Sequence, residues 1–530
     1  PYPYAPVNPT YYNDGYASTA TNDVLLMNHD LNISYETALS SKLELILQGG
    51  ANTQYIRGQF SENQGRNMAP FVRTVNGAAT ILSAATNISR QRIWGYYLQG
   101  TFNARDRFFL TMAGRIDGSS AFSPDNRDQF YPKVSASYLI SESEFWQNSG
   151  LKNMIPGLRL RASWGQAGNL TAIGPYDRFN NYNTSILANR SAINASNVLA
   201  NPDVRPERQT EIELGADFSL VHDRISLMFT YYQQNIEDLL VNRVLPASQG
   251  GTAITTNAGN MENKGVELGL NADLLRRKDL NWNLFTNFSR NRNRVFNLGQ
   301  TLVRIPTVTG APLFLVENEP IGVFYGSYQA RNPDGSLLLT PDGLLQREFG
   351  DATTNTPQRD ADGQPTGDLL RKVIGDPNPD YILGFGSELK IGNFGFSVLF
   401  ESVQGVDVFD ADKRTRQGVG IGEIAEQELK GELPRGYIWS FYPIEEWRIS
   451  DGSFTKLREL TLSYTIPSLW KGALSNTELS LGGRNLFSID NFTSYDPEVN
   501  AGGQSNLMRG VNFGQVPIPR VYTLSLRTNF

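Results

Sequence analysis

The chemistry open to this chain is limited first by two histidines and no cysteine. His29 and His222 lie far apart, so they cannot build a multi-histidine zinc centre, and a serine triad would have to use one of them. Thiolate chemistry is excluded, and no GxSxG elbow, HExxH pair or phosphate loop occurs. The sequence therefore reads as that of a protein that is not an enzyme. Aromatic rings are what remain in suggestive company. Tyr437, Trp439, Phe441, Tyr442 and Trp447 crowd one stretch, and Tyr11, Tyr12 and Tyr16 another. Flat rings stack on sugars or hold peptide side chains at little entropic cost. The rival reading packs them within loops or against an interface. Trp439, Phe441, Tyr442 and Trp447 are the residues singled out as substrate contacts.

Charged residues form the second suggestive set. Arg115, Arg159, Arg161, Glu211, Glu213, Asp217, Glu267, Asp273, Arg484 and Arg527 each sit within a stretch of strict alternation, on the polar parity. From Lys264 to Leu274, Val266, Leu268, Leu270, Ala272 and Leu274 point one way, while Glu267, Gly269, Asn271 and Asp273 point the other. The same pattern follows Gln209 and recurs at 158–164, 225–232, 394–401 and 522–530. Such a wall would have a mixed-charge inner face, suited to gripping a polar plug through charge pairs more than to selecting solutes of one sign.

These residues belong to strands of about the ~9 to 11 residues that cross a bilayer when tilted. Strands are expected at roughly 24–38, 43–57, 92–103, 107–117, 130–140, 158–168, 208–219, 224–236, 264–274, 281–291, 381–391, 393–403, 454–465, 477–486 and 520–530. The connections between them alternate in length. Tight ones fall near Ser40, Ala104, His222, Arg276 and Gly392, and long ones at about 58–91, 169–207, 237–263, 292–380, 404–453 and 487–519. A soluble sandwich shares the alternation of faces but has no reason to send every second connection out long, whereas an outer-membrane barrel does. The fold class expected is all-β, a transmembrane antiparallel β-barrel.

Mean hydropathy is −0.35, and no run approaches the ~18 apolar residues of a membrane helix. The net charge of −6 argues against nucleic acid as a partner. The lipid bilayer is the partner the alternation implies. If the last strand, ending at Phe530, finishes at the periplasmic rim, the long connections are external and residues 1–23 are the remnant of an extracellular loop. Fifteen strands cannot close a normal single-chain barrel, which needs an even number. Residues 24–530 are therefore expected to be the C-terminal part of a barrel whose N-terminal strands are missing.

Several segments carry a family resemblance. They are Asp106–Ser120 (DRFFLTMAGRIDGSS), Gly157–Asn169 (GLRLRASWGQAGN), Asn201–Leu240, Met261–Ala272 (MENKGVELGLNA), Ile374–Asp380 (IGDPNPD), Asp451–Pro467 (DGSFTKLRELTLSYTIP) and Gly483–Asn500 (GRNLFSIDNFTSYDPEVN). In that order they resemble the SusC-like, RagA-like branch of TonB-dependent outer-membrane transporters of Bacteroidetes, across essentially the whole chain. The resemblance implies location in the cell outer membrane and a barrel of about 22 strands closed by an N-terminal plug. It also implies a SusD-like surface lipoprotein as lid, and the TonB complex acting through an N-terminal region not in this chain. The plug and roughly the first seven strands have no counterpart here.

The resemblance further places a calcium loop close to Asp360, Asp362 and Asp368, where acids alternate around a glycine as a hard cation prefers. Glycine comes at the fourth position rather than the sixth, and a solvated acidic turn is the rival reading; no other cofactor is implied. Gly483–Phe487 with Tyr495–Glu498 reads as structural, shaping the last external connection. The function expected is the barrel portion of a TonB-dependent importer of oligosaccharides or oligopeptides. The alternative is a SusC-like barrel serving as scaffold in a larger, secretion-type outer-membrane complex.

Overall fold

The computed structural model describes residues 15–188, 190–299, 302–307, 310–469, 474–505 and 508–529. Fifteen strands are hydrogen-bonded in strict chain order in one sheet. They are β1 (Tyr16–Ser40), β2 (Leu43–Met68), β3 (Ala78–Ala104), β4 (Phe108–Ser119), β5 (Asp128–Leu139), β6 (Gly157–Asn169), β7 (Glu207–Leu220) and β8 (Ile225–Glu237). The rest are β9 (Asn260–Arg277), β10 (Leu280–Phe296), β11 (Tyr381–Ile391), β12 (Phe394–Gln404), β13 (Phe454–Leu469), β14 (Leu474–Asp490) and β15 (Val521–Asn529). Every expected strand is present. Among the described residues no helix is long and apolar enough to cross a membrane, which leaves crossing by strands untouched.

Two compact units emerge from the contacts. One comprises the chain up to Ser135 with 165–210 and 238–257; the other comprises 136–164, 211–237 and 258–530. In the second, register shows why the alternation matters. Trp282, Leu389, Phe396, Leu462, Leu481 and Leu524 are successive cross-strand partners over six strands, an unbroken apolar row. The adjacent row is Asn283, Glu388, Ser397, Thr461, Gly482 and Thr523, polar throughout and on the opposite face. Leu481 and Leu524 are 53% and 74% exposed, so the apolar face has no protein cover. The first unit repeats the device, with Leu31, Ala51, Tyr96 and Ile116 in one row and Asn32, Gly50, Tyr97 and Arg115 in the next. Gly50 is required there. Tyr97 lies across it to donate to Asn32 Oδ1 at 2.8 Å, and a Cβ at residue 50 would stand 2.5 Å from the Tyr97 ring.

The expected long connection at 58–91 is mostly strand. β2 runs on to Met68 and β3 begins at Ala78, leaving only 69–77 as the link. Likewise Tyr16–Asp23, expected as loop, pairs with 59–66 of β2. In these extensions Gln59 faces Ile88, Phe60 faces Asn87, Ser61 faces Thr86, and Glu62 and Asn63 face alanines, so polar and apolar residues mix on both faces and period two in hydropathy is lost where the backbone ladder continues. The remaining long connections fall at 170–206, 238–259, 297–380, 405–453 and 491–520. They are not loose. In the first unit, 198–199 joins 253–254 in parallel, above a small core of Ala121, Phe122, Ile173 and Val204.

In the second unit three connections build one cap. Leu313–Val316, Val323–Ser327 and Arg371–Gly375 form a small sheet with Leu302–Arg304, while Asp407–Asp410 is flanked by Ile449–Asp451 and Val511–Asn512. Phe324 and Phe409 meet at 5.8 Å between ring centroids, both buried, with Val408 and Val511 buried alongside in the same sheet of three. The wall buries few large side chains and the cap buries many. Three helices follow in the middle connection: α1 (Ala411–Gly418), α2 (Glu423–Lys430) and α3 (Tyr437–Phe441). Asp410 caps α1 by accepting from Lys413 N, and Gly431, at φ 76°, ends α2.

Because one core serves all three connections, Phe324→Ala should cost about 3–5 kcal/mol of cap stability. Hydrogen exchange should rise together in 313–327, 407–410 and 511–512 while β11–β14 keep their protection. A rise confined to 313–327 would show that the connections are independent.

Candidate functional site

The polar face of the sheet is the first candidate surface. Arg115 donates to Asp117 at 2.6 Å, and Arg159 and Arg161 converge on Asp217. Arg161 also reaches Glu213 and Thr230, its guanidinium lying over Gly215, where a Cβ would meet it at 2.7 Å. Glu211 accepts from Gln234 at 2.9 Å. Glu267 joins Arg161, Glu211 and Tyr232 around a polar depression of about 530 Å³, and Arg484 stands opposite Glu459 in the β13–β14 register. On this face Arg115, Arg159 and Arg161 are paired with carboxylates along the sheet. Side by side on neighbouring strands, they hold a fixed polar surface.

The expected aromatic cluster divides. Phe441 is buried and stacks on Trp447 at 5.9 Å, with Leu345 and Ile444 around it, so these rings pack the cap. Trp439 is 66% exposed and meets Tyr442 edge-on at 6.1 Å. Tyr442 is half-buried between the guanidinium groups of Arg414 and Arg448, at 5.7 and 5.2 Å from its ring centre. Tyr16 opens β1, and Tyr11 and Tyr12 lie outside the described residues. His29 sits in β1 opposite Thr53, and His222 in the tight turn after β7, far from any nucleophile arrangement the sequence suggests.

The three aspartates considered for calcium are not brought together. Asp360 Oδ1 accepts from the backbone of Asp362 and Gln364, forming a hairpin turn closed by Gly363 at φ 75°, whereas Asp368 belongs to a separate short ribbon with Phe349–Asp351. Among the described residues no group of three or more His, Asp or Glu stands close enough to hold a metal ion.

Three polar ties that sequence reasoning passed over hold the cap, two of them ionic. Glu445 accepts from Ser327 N and Arg371, and Glu446 from Gln329 N and Lys372. The TonB-branch segment at 374–380 is fixed from both sides, since Asp376 N donates to Asp407 Oδ2 and Asp407 N to Asp376 O. Gly510 fits against this pair at φ 65°, and a Cβ there would stand 2.8 Å from Asp407 O. Lys456, buried, donates to Asp496 at 2.6 Å and Glu498 at 2.9 Å, while Arg458 bridges Glu498 and Glu401. Thus the segments 451–467 and 483–500 are joined by charge. A lysine and arginine inside an alternating strand, followed by an unpaired-looking Asp-Pro-Glu, were the signal, but nothing in one sequence says that they meet.

The titration of these groups differs by tie. Burial pushes Asp496 and Glu498 up, but the bonds from Lys456 and Arg458 outweigh it, and both end below their ordinary values. Burial leaves Asp376 and Asp407 above theirs.

A family model described as "TonB dependent receptor-like, beta-barrel" matches residues 2–486. TonB-dependent receptor P3 of Formosa agariphila is 28% identical over 86% of this chain and 47% of its own length. TonB-dependent receptor SusC of Bacteroides thetaiotaomicron is 24% identical over 97% of this chain and 51% of its own. The chain spans about half the length of the curated relatives it matches. Among solved structures, that of the RagAB peptide transporter superposes with a TM-score of 0.79 at 19% identity, covering 97% of this chain and 56% of the other, a likeness of fold.

The two ties should respond to acid in opposite senses. Asp496 and Glu498 bind protons less readily folded than unfolded, so their contribution is full above the ordinary values of 3.8 and 4.5 and fades as pH falls through the lowered ones. For Asp376 and Asp407 the folded state binds the proton more readily, so acid favours that tie. Hydrogen exchange, corrected for intrinsic rates, should show 496–499 loosening on acidification while 376–378 and 407–409 hold or tighten. Lys456→Met should loosen 496–499 at neutral pH, at a cost of about 3–5 kcal/mol, with the difference from the parent shrinking as acid protonates both carboxyls. Uniform loosening of all segments by acid would contradict the assignment.

Proposed function

The chain belongs to the TonB-dependent receptor-like β-barrel family, and we propose that it forms the wall and outer cap of an energised outer-membrane importer of oligosaccharides or oligopeptides. The observation that carries this reading is the unbroken apolar row over β10–β15 backed by an unbroken polar row. One face meets lipid and the other an aqueous lumen. The whole protein adds a plug and a TonB-contacting segment from the rest of its length, and a SusD-like surface lipoprotein serves as lid.

The wall's chemistry supports such a cycle. Its arginines already hold wall carboxylates, so a plug resting on them exchanges water-bridged and hydrogen-bonded contacts rather than rupturing ion pairs when TonB pulls. The cap, at the end of the strands away from the tight turns, is a packed body and holds its binding groups in fixed positions before substrate arrives. Capture outside and release inside are thereby separated between two rigid surfaces.

Two measurements test this. Leu481→Arg on the apolar face should cost about 2–4 kcal/mol and cut the amount of assembled protein in outer-membrane fractions, whereas Thr461→Arg on the polar face should not. Equal effects would remove the lipid-facing assignment. Mass spectrometry of the complex purified from native membranes should find a SusD-like lipoprotein in stoichiometric amount, with uptake of labelled oligomers abolished by dissipating the proton-motive force. A lumen occupied by an unrelated protein, with no lipoprotein and no uptake, would replace the importer with the scaffold.

A further inference from the structure

The cap contains a cation with no acceptor. Arg448 is 3% exposed, and its Nε and Nη2 find no hydrogen-bond partner among the described residues; the neighbouring Trp447 Nε1 is likewise buried and unpaired. A guanidinium does not neutralise itself by losing a proton, so a buried one calls for an anion. The nearest candidate within the chain is Glu445, whose Oε2 is already taken by Ser327 and Arg371. Burial first, then the adjacent Arg414 cation, pull Arg448 down to about 10. Like charges are gathered here, not separated.

The surroundings have the form of a cradle. The Tyr442 ring carries Arg448 against it at 5.2 Å and Arg414 at 5.7 Å. Two glycines keep the approach narrow. A Cβ at Gly418 would stand 2.9 Å from the Tyr442 ring, and one at Gly310, φ 69°, 3.0 Å from Arg414 Nη1. Trp439, exposed and edge-on to Tyr442, is the open face of the group. On α1, which packs against both α3 and the turn at 445–448, Gln417 Oε1 is a buried acceptor without a donor, while Asp410 Oδ2, also without a hydrogen bond, faces Arg416 at 3.9 Å. Among the described residues Arg448 thus lacks an acceptor and Gln417 a donor.

We propose that Arg448, Arg414, Tyr442 and Trp439 form a binding site for an acidic sugar, a carboxylated or sulfated residue of the captured oligosaccharide. The anionic substituent meets the Arg448 guanidinium beside Arg414, the ring's C–H face lies on Trp439, and a hydroxyl supplies the donor that Gln417 lacks. A sugar fits this place better than a peptide. Extended peptides are held through a free strand edge, and the segments here are short helices that present no such edge. This assignment rests on the importer reading and names its substrate class.

The test uses the full-length protein in its native complex. Binding of an oligogalacturonate, a sulfated oligosaccharide, a neutral malto-oligosaccharide and an acidic peptide, all of similar length, is measured by calorimetry and by tryptophan fluorescence. One or both acidic oligosaccharides should bind at least tenfold more tightly than the neutral one, and which of the two does so identifies the anion. Arg414→Gln and Trp439→Ala should each weaken that binding about tenfold, with the fluorescence response lost in Trp439→Ala. Arg448→Gln should abolish it; should that variant fail to fold, the half-buried Arg414 and exposed Trp439 still decide. Equal binding of neutral and acidic sugars, preference for the peptide, or full affinity in Arg414→Gln overturns the site. If another oligomer is still taken up in an energy-dependent manner, the site alone is wrong; if none is, the importer reading fails with it.

Discussion

An extended strand in hydrocarbon has nowhere to send its backbone N–H and C=O groups except sideways, to the next strand. That requirement makes fifteen consecutive segments of this chain pair in strict order, and much else follows from it. Once the ladder is fixed, side chains fall on two faces with a period of two, and a one-residue slip anywhere would bring Glu388 into the row of Leu389. Register is therefore held by the solvent on each side as much as by the hydrogen bonds. The close-packed glycines serve the same ladder. Tyr97 can lie across to Asn32 only because residue 50 has no Cβ, and the charge cluster around Arg161 can lie flat only because residue 215 has none.

A wall of this kind is one residue thick and has no interior in which to bury side chains. The chain places its hydrophobic core in the connections instead, where Phe324, Phe409 and Val511 come from three segments far apart in sequence. The same division governs charge. Along the wall, opposite charges on the same or adjacent strands settle against one another in partly wet surroundings, each pair adding about 0–1 kcal/mol. In the cap, Lys456 with Asp496 and Glu445 with Ser327 are drier, and breaking either leaves a buried charge. The wall is held by many weak, repeated terms and the cap by a few strong ones.

This division also explains what could be read from the sequence. All fifteen strands were legible because a two-faced environment writes itself into every second residue, as in Ile212, Leu214, Ala216 and Phe218 against Glu211, Glu213 and Asp217. Where polar and apolar residues mix on both faces, at 58–68 and 78–91, the ladder persists but the signal vanishes, and those residues read as loop. The cap was illegible for another reason. Its segments, such as 371–375 and 407–410, are too short for any period, and their partners are set by long-range fit. The aromatic residues of 437–447 touch one another in pairs, yet sequence could not tell Phe441, turned into the core with Ile444, from Trp439, turned to water. Nor could it show that Asp360 spends its carboxylate on its own turn.

Completeness of pairing separates the parts of the molecule that hold shape from the part that meets a ligand. Asp217 has two arginines, Glu498 has Lys456 and Arg458, and Asp376 and Asp407 have each other's backbone. Buried side-chain atoms without a hydrogen bond occur singly at Arg57, Arg178 and Gln329, whereas those of Gln417, Trp447 and Arg448 fall within one connection of the cap. A folded chain retains such groups at a cost in stability, because each could have been replaced by an apolar residue of similar size. They occur together, around Tyr442, beside the most exposed tryptophan of the cap's helices. A polar set left incomplete by the protein has a defined complement, and the pattern of missing donors and acceptors specifies that complement more narrowly than the barrel around it does.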